Sequence, residues 1–102
     1  MDHREVGEYW NDNAPKWTKL ARDGADYYRN QFNTPAFLDI LPDVAGLSGL
    51  DIGCGEGYNT RKLVEMRAQM SAIDISEVFI QAAHSFQPEE GHIGHAHASA
   101  VE

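Results

Sequence analysis

The residues with the clearest chemical meaning form one short loop, "LDIGCGEGYNTRKL", in which glycines alternate at Gly53, Gly55 and Gly57. Glycine has no side chain, so the backbone can approach a ligand closely. A loop between a strand and a helix also presents backbone N–H groups and the positive end of the helix dipole. The pattern therefore predicts a ligand-binding turn, and a tight connection without a ligand is the weaker interpretation.

The spacing of these glycines separates two classes of ligand. A dinucleotide fingerprint, G-x-G-x-x-G, needs glycine or alanine at position 58, where this chain has Tyr58. A Walker phosphate loop needs Gly-Lys-Ser/Thr after a longer gap, and that sequence is absent. The loop therefore disfavours dinucleotides and nucleoside triphosphates.

An aspartate follows at the end of the next apolar stretch, Asp74 in "AIDIS". In an α/β fold the end of that strand lies beside the loop, where a carboxylate can accept the hydrogens of both ribose hydroxyls. We expect Asp74 to bind a ribose, and a solvated turn aspartate is the alternative.

The remaining reactive residue types indicate less chemistry. Cys54 is the only cysteine, so it has no partner for a disulfide or a C-x-x-C site. It lies beside whatever the loop binds, and we expect it to pack under the loop and not to act as a nucleophile. No metal site is expected, because no carboxylate or thiol completes a well-spaced set with the four candidate histidines, His84, His92, His95 and His97.

The elements that position these residues alternate between strand and helix. Strands are predicted over Ser48–Ile52, 69–75 and 91–102, with a helix over 58–67 and another that begins after the N-cap Ser76. In the first helix Leu63 and Val64 face inward, whereas Arg61 faces water. This alternation predicts an α/β fold with a Rossmann-like parallel sheet, of which only the 3-2-1 half can be built.

The first part of the chain, residues 1–45, is predicted to be a helical cap, and residues 46–102 the first half of the ligand-binding domain. Within the cap, Thr34 is predicted as an N-cap and Pro35 as the first helical residue. The helix that follows is expected to bury a stripe formed by Phe37, Leu38, Ile40 and Leu41.

Composition narrows the classes of partner. Eight Lys and Arg stand against sixteen Asp and Glu, and a net charge of -8 argues against nucleic acid as a main partner. The sequence shows no apolar run of membrane-spanning length and no signal-peptide pattern. We therefore expect a cytoplasmic protein that does not bind membranes and acts on a small molecule or a protein.

Together these residues resemble the class I S-adenosylmethionine-dependent methyltransferases of the "methyltransferase type 11" kind. The first motif of that family, acidic-x-G-x-G-x-G, is complete in "DIGCGEG", and "IDIS" follows it. The stretches "YWNDNAPKWTKL" and "NTPAFLDILPDVAG" are similar to the helical cap of such enzymes. The resemblance covers nearly the whole chain.

The resemblance implies S-adenosylmethionine as cofactor and S-adenosylhomocysteine as product. Asp51 would orient the ammonium group of the methionine portion, Ile75 would pack on adenine, and Ser99 with Ala100 would lie at the adenine edge. Many family members have an aspartate where this chain has Ser99, and a serine makes a weaker, neutral bond. The implied cofactor-binding residues are Asp51, Gly53, Cys54, Gly55, Gly57, Asp74, Ile75, Ser99 and Ala100.

The resemblance also implies methyl transfer to a small-molecule acceptor by in-line displacement, with acceptor and base unidentified. Family members continue with four more strands, so we expect a truncated methyltransferase. The other expectation is a half that pairs with a second copy or another chain through the open edge of its first strand. Two alternatives remain: a non-catalytic module that binds S-adenosylmethionine or its product, and a dehydrogenase-type nucleotide-binding domain.

Overall fold

The computed structural model describes residues 2–26 and 28–99. These residues form helices and parallel strands in the predicted alternation, preceded by a helical N-terminal segment. In chain order the elements are α1 (His3–Arg22), a π-helical turn (Arg29–Asn33), α2 (Thr34–Asp39), β1 (Ser48–Ile52), α3 (Tyr58–Glu65), β2 (Gln69–Asp74), α4 (Glu77–His84) and β3 (Gly94–His97). None of the described helices is both long and apolar enough to cross a membrane.

The three described strands form one parallel sheet in the order β1-β2-β3. Ser48 of β1 lies opposite Gln69 of β2, and Asp74 at the end of β2 lies opposite His97 of β3. Parallel neighbours joined by helices are the half-unit of a doubly wound sheet. The predicted α/β, Rossmann-like 3-2-1 arrangement is therefore confirmed.

The core lies between the sheet and the helices that connect its strands. Its buried cluster consists of Ala68, Met70, Ala72 and Ile93. Leu63 and Val64 of α3 pack against this cluster, as the sequence predicts. Burial of these apolar side chains holds α3 on the sheet and so fixes the start of that helix next to the glycine loop.

Helix α4 begins on the predicted N-cap. The Ser76 hydroxyl accepts a hydrogen bond from the backbone N–H of Phe79 at 3.2 Å. The same hydroxyl donates to the Asn11 side-chain oxygen at 2.6 Å, and that oxygen also accepts from the N–H of Val78 at 3.2 Å. Asn11 therefore joins α1 to the first turn of α4.

The prediction that Thr34 is an N-cap is wrong. The preceding residue, Asn33, has helical dihedral angles (φ -68°, ψ -51°), and no side chain caps α2. The π-helical turn continues directly into α2, so the extended conformation that an N-cap requires is missing. Thr34 is buried instead, and its hydroxyl donates to the side-chain oxygen of Asn59 at 3.0 Å.

The predicted buried stripe of α2 is also wrong. Ile40 is 81% exposed, Phe37 is exposed, and Leu38 and Leu41 are only half-buried. The reason is that, among the described elements, only the preceding π-helical turn packs closely on α2, so no strand covers its apolar side chains. The edge strand β1 also has exposed apolar side chains, including Leu50.

Candidate functional site

A cavity of about 500 Å³ lies at the C-terminal end of the sheet, beneath α1. Its wall includes Gly53 and Gly55 of the loop, and Asp74, Ile75 and Ser99 at the ends of the strands. The sequence-predicted residues named here are thus brought together. Ala100, also predicted for this site, lies outside the described residues.

Helix α1 closes the top of this cavity. At Gly7, a β-carbon would lie only 3.0 Å from the carbonyl oxygen of Ile75, so α1 can approach the end of β2 closely. One turn further along, Trp10 lines the cavity and packs on Phe79, with ring centroids 6.1 Å apart.

A second cavity, of about 310 Å³, lies along the same loop. It shares Gly53 and Gly55 with the first cavity, and Trp10 and Phe79 line both. Its other walls include Trp17, Arg29, Asp51, Cys54 and Tyr58. One elongated ligand could therefore contact the loop from both cavities.

Two of the three glycines leave room for a ligand. A β-carbon at Gly53 or Gly55 would have no atom within 4 Å, and both residues have a positive φ (77° and 57°). Gly57 (φ 95°) differs, because a β-carbon there would lie 2.9 Å from the Arg61 guanidinium and 3.4 Å from Ala83. Gly57 therefore permits close helix packing, whereas Gly53 and Gly55 face open space.

The expectation that the loop presents its N–H groups to a ligand is wrong for four of its residues. The N–H groups of Gly53 and Cys54 both donate to the carbonyl oxygen of Ile73, at 2.9 and 3.0 Å. Gly55 N–H donates to the Asp74 carboxylate at 2.9 Å, and Gly57 N–H to the Cys54 carbonyl at 3.1 Å. These donors stabilise the loop itself, so the loop offers space and not an anion-binding nest.

Asp74 organises the site as well as lining it. It is 7% exposed, and its two oxygens accept from the N–H groups of Gly55 (2.9 Å) and Ser76 (2.8 Å). Each carboxylate oxygen has two lone pairs, so both keep acceptor capacity towards the cavity. The predicted ribose contact is compatible with this geometry.

Asp51 is held from the helix that follows the loop. The hydroxyl of Thr60, a fully buried residue of α3, donates to the Asp51 carboxylate at 2.5 Å. This bond fixes the carboxylate beside the second cavity, where the resemblance expects it to orient an ammonium group.

Burial raises the pKa of the Cys54 thiol to about 12, and the carboxylates of Asp74 and Asp51 add to the rise. The side chain packs against the core cluster. At neutral pH it is therefore a thiol, which agrees with the expectation that Cys54 is not a nucleophile.

Two arginines near the loop were not predicted as site residues. Arg61, expected to face water, has a side chain only 12% exposed, because it pairs with Glu56 of the loop at 2.7 Å. Arg29 lines the second cavity with its guanidinium 3.9 Å from the ring centre of Tyr58, and no carboxylate among the described residues pairs with it. Arg29 could not be found from local patterns, since it and Tyr58 are far apart in the chain.

His3 of α1 lines the larger cavity, whereas none of the four candidate histidines, His84, His92, His95 and His97, lines either cavity. His84 and His95 have ring centroids 5.5 Å apart, and burial, followed by the effect of His84, lowers the pKa of His95. His97 has its Nε2 atom 2.9 Å from the carbonyl oxygen of Ile75. Within residues 2–26 and 28–99, no group of three or more His, Cys, Asp or Glu side chains could hold a metal ion.

The fold of this α/β protein places both cavities at the carboxyl end of a parallel sheet, which is where open α/β sheets bind their ligands. The model of the family described as "Methyltransferase domain" matches residues 50–102, and the chain belongs to that family. No protein of curated function matches the chain.

Two solved structures are similar to this chain. An S-adenosylmethionine-dependent methyltransferase from Mesorhizobium loti is 35% identical, with a TM-score of 0.58, over 64% of this chain and 30% of its own. A TehB-like SAM-dependent methyltransferase from Corynebacterium glutamicum shares the fold at 23% identity, with a TM-score of 0.57, over 87% of this chain and 45% of its own. The chain therefore spans less than half the length of either structure.

Proposed function

We propose that the chain is the cofactor-binding half of an enzyme that transfers a methyl group from S-adenosylmethionine to a small-molecule acceptor. Membership of the methyltransferase-domain family supports the cofactor class. The observation that carries the proposal is the loop, in which Gly53 and Gly55 leave open space while its N–H groups bond to the protein.

This loop fits a sulfonium cofactor better than a dinucleotide. A pyrophosphate is bound by unpaired N–H groups of the glycine loop and of the helix that follows it, and in this loop the N–H groups of Gly53, Cys54, Gly55 and Gly57 are already bonded to the protein. The nearby side chains of Asp51 and Asp74 are carboxylates, which attract a cationic ligand and repel an anionic one. The dehydrogenase-type alternative is therefore disfavoured by charge as well as by Tyr58.

Both cavities would hold parts of one cofactor. In the larger cavity Asp74 would accept hydrogen bonds from the ribose, and Ile75 and Ser99 would pack at the adenine, with Ala100 proposed beside them. In the smaller cavity Asp51, Gly53, Cys54 and Gly55 would surround the methionine portion. Arg29 would pair with its carboxylate by charge, through guanidinium N–H groups other than those that donate to Asn30 and Ala21. Gly57 would contribute indirectly, by letting α3 and α4 pack behind the loop.

The cofactor supplies a methyl group on a positively charged sulfur, which is already a good leaving group. The chain's own residues would therefore act by alignment and by excluding water, in line with a proposed in-line displacement. Trp10 and Phe79, which line both cavities, would provide the water-excluding wall. We assign no general base.

A second candidate function is a module that binds the cofactor without transferring a methyl group, or that associates through its sheet edge. The exposed apolar side chains of Leu50 and Ile52 on β1 favour association, because such an edge tends to pair with another strand. Sedimentation would decide: a second copy on that edge would give a dimer, whereas a monomer at micromolar concentration would contradict it. The expected cytoplasmic location stays a prediction.

Calorimetric titration of the chain with S-adenosylmethionine, S-adenosylhomocysteine and NAD tests the cofactor. We expect the first two to bind and NAD not to bind. A Gly53→Ala variant should weaken binding by filling the cavity, whereas Gly24→Ala should not. Both glycines have a positive φ and open space around a β-carbon, but only Gly53 lines the cavities. Tighter binding of NAD, or no binding of either S-adenosylmethionine or S-adenosylhomocysteine, would overturn the proposal.

Methyl transfer itself needs a separate assay. Release of S-adenosylhomocysteine in the presence of small-molecule acceptors would support the enzyme. Cofactor binding with no release for any acceptor class would favour the binding module.

A further inference from the structure

The acidic residue of the glycine loop, Glu56, connects the loop to two different helices. It is 6% exposed, and one carboxylate oxygen accepts from Arg61 of α3 at 2.7 Å and from the Nε of Arg22 at 3.3 Å. Arg22 is the last residue of α1. A buried carboxylate thus joins the loop to the far end of the helix that covers the site.

Arg22 makes further contacts that fix its direction. Its Nη2 donates to the carbonyl oxygen of Ala82 in α4 at 2.7 Å. Its guanidinium lies 4.7 Å from the ring centre of Phe86, and the guanidinium of Arg61 lies 4.6 Å from the same ring. Phe86 therefore contacts both cations that pair with Glu56.

The two halves of α1 are attached by different residues. Asn11 bonds the first half to the start of α4, and Arg22 bonds the end of the helix to Glu56 and Ala82. Trp17, which lines only the smaller of the two cavities described above, lies between these attachments. The position of Trp17 therefore depends on Arg22. The position of Trp10 depends on Arg22 less, because Trp10 is next to Asn11.

We propose that Arg22 and Glu56 are positioning residues: they hold the end of α1 against the glycine loop and so set the width of the smaller cavity. This inference rests on the proposed function, in which that cavity holds the methionine portion of the cofactor. Loss of the pair should weaken binding of the methionine portion and leave the adenosine portion unaffected. A residue that only stabilised the fold would not discriminate between the two parts of one ligand.

The main variant is Arg22→Met, which keeps an unbranched, helix-compatible side chain and removes the cation. Since the Arg22 side chain is 32% exposed, the substitution does not create a deep cavity. The matched control is Lys19→Met. It removes a cation and an ion pair (Lys19 with Asp23, 2.6 Å) from the same last turns of α1, on a side chain that is 78% exposed and does not contact the loop.

The measurement is calorimetric titration of each variant with S-adenosylmethionine and, separately, with adenosine. For Arg22→Met we expect S-adenosylmethionine affinity to fall about tenfold, the scale of losing one hydrogen bond to a charged group. Adenosine affinity should not change. Arg22→Lys should lose less affinity for S-adenosylmethionine than Arg22→Met does. Lys19→Met should bind both ligands with wild-type affinity. Equal losses for both ligands, or no loss for S-adenosylmethionine, would overturn the proposal.

A second measurement needs no ligand, so it separates this proposal from the proposed function. Hydrogen exchange in residues 17–22 should become faster in Arg22→Met and in Glu56→Gln, and stay as in wild type in Lys19→Met. If wild type binds no S-adenosylmethionine but exchange changes in this way, the proposed function fails and the positioning role stands. Unchanged exchange in both Arg22→Met and Glu56→Gln would refute the positioning role.

Discussion

Substituting Asp74 by asparagine tests whether this carboxylate builds the site as well as lining it. The two oxygens of Asp74 accept from two different backbone N–H groups, of Gly55 and Ser76, in a residue that is 7% exposed. Asparagine has one acceptor oxygen, so its NH₂ group must face one of the two donors. One of the two bonds is lost and leaves a buried N–H without a partner, and the bond that remains is no longer to a charged group.

The magnitude follows from those bonds. A hydrogen bond to a charged group contributes about 1.5–3 kcal/mol, and a buried donor without a partner costs about 1–3 kcal/mol. Since these terms describe the same interaction, we expect Asp74→Asn to lower the free energy of unfolding by about 2–3 kcal/mol. That is a large fraction of the roughly 5–15 kcal/mol that stabilises a typical protein. The cofactor affinity should fall as well, because the loop and the ribose contact depend on the same group.

Urea denaturation measures the first effect, with Asp43→Asn as the control. Asp43 also accepts a backbone N–H, from Ala45 at 3.0 Å, but in an exposed turn where water can replace the bond. The control should change stability by less than about 0.5 kcal/mol. An Asp74→Asn variant with the wild-type unfolding midpoint would refute the role of Asp74 in holding the loop.

Three further predictions concern single residues. Gly57→Ala should destabilise the chain more than Gly24→Ala, because a β-carbon at position 57 would also meet Arg61. Gly24→Ala should cost about 1 kcal/mol for its positive φ alone. Equal urea midpoints for the two variants would contradict the close contact with Arg61. Because burial raises the pKa of Cys54 to about 12, iodoacetamide near pH 8 should modify the folded chain far more slowly than the urea-unfolded chain, and equal rates would contradict this. Because burial lowers the pKa of His95 below its usual 6.5, the folded chain binds this proton less well than the unfolded chain, so stability should fall as pH drops below 6.5. His95→Phe should flatten that dependence in urea midpoints, and an unchanged slope would contradict it.

Local patterns predicted the elements that carry the site. The strand Ser48–Ile52 was predicted at its observed bounds, because glycines and an apolar run mark it within the chain itself. The Ser76 cap was predicted for the same kind of reason, since a serine before a helical apolar pattern is a local signal. The order of the strands followed from the alternation of strand and helix.

Interactions between distant parts of the chain could not be predicted in this way. Arg61 looks like a solvent-facing residue of α3, and only the folded chain brings the ring of Phe86 to it. The burial of α2 was overestimated for a related reason: an apolar stripe predicts a covered face, but among the described elements only the preceding π-helical turn packs closely on α2, and Ile40 stays exposed. The bonded N–H groups of the loop also depend on tertiary structure, since Ile73 and Asp74 belong to a different strand.

The hydrogen bonds of Asn11 have a consequence for anyone who recombines this chain with a relative. The oxygen of Asn11 accepts from both Ser76 and Val78, so α4 relies on a residue encoded far upstream of it. Exchanging the first helix for that of a homologue would keep the start of α4 intact only if the donor sequence carries a similar acceptor at this position. A chimera joined between α1 and β1 should therefore be designed with positions 11 and 76 inherited together.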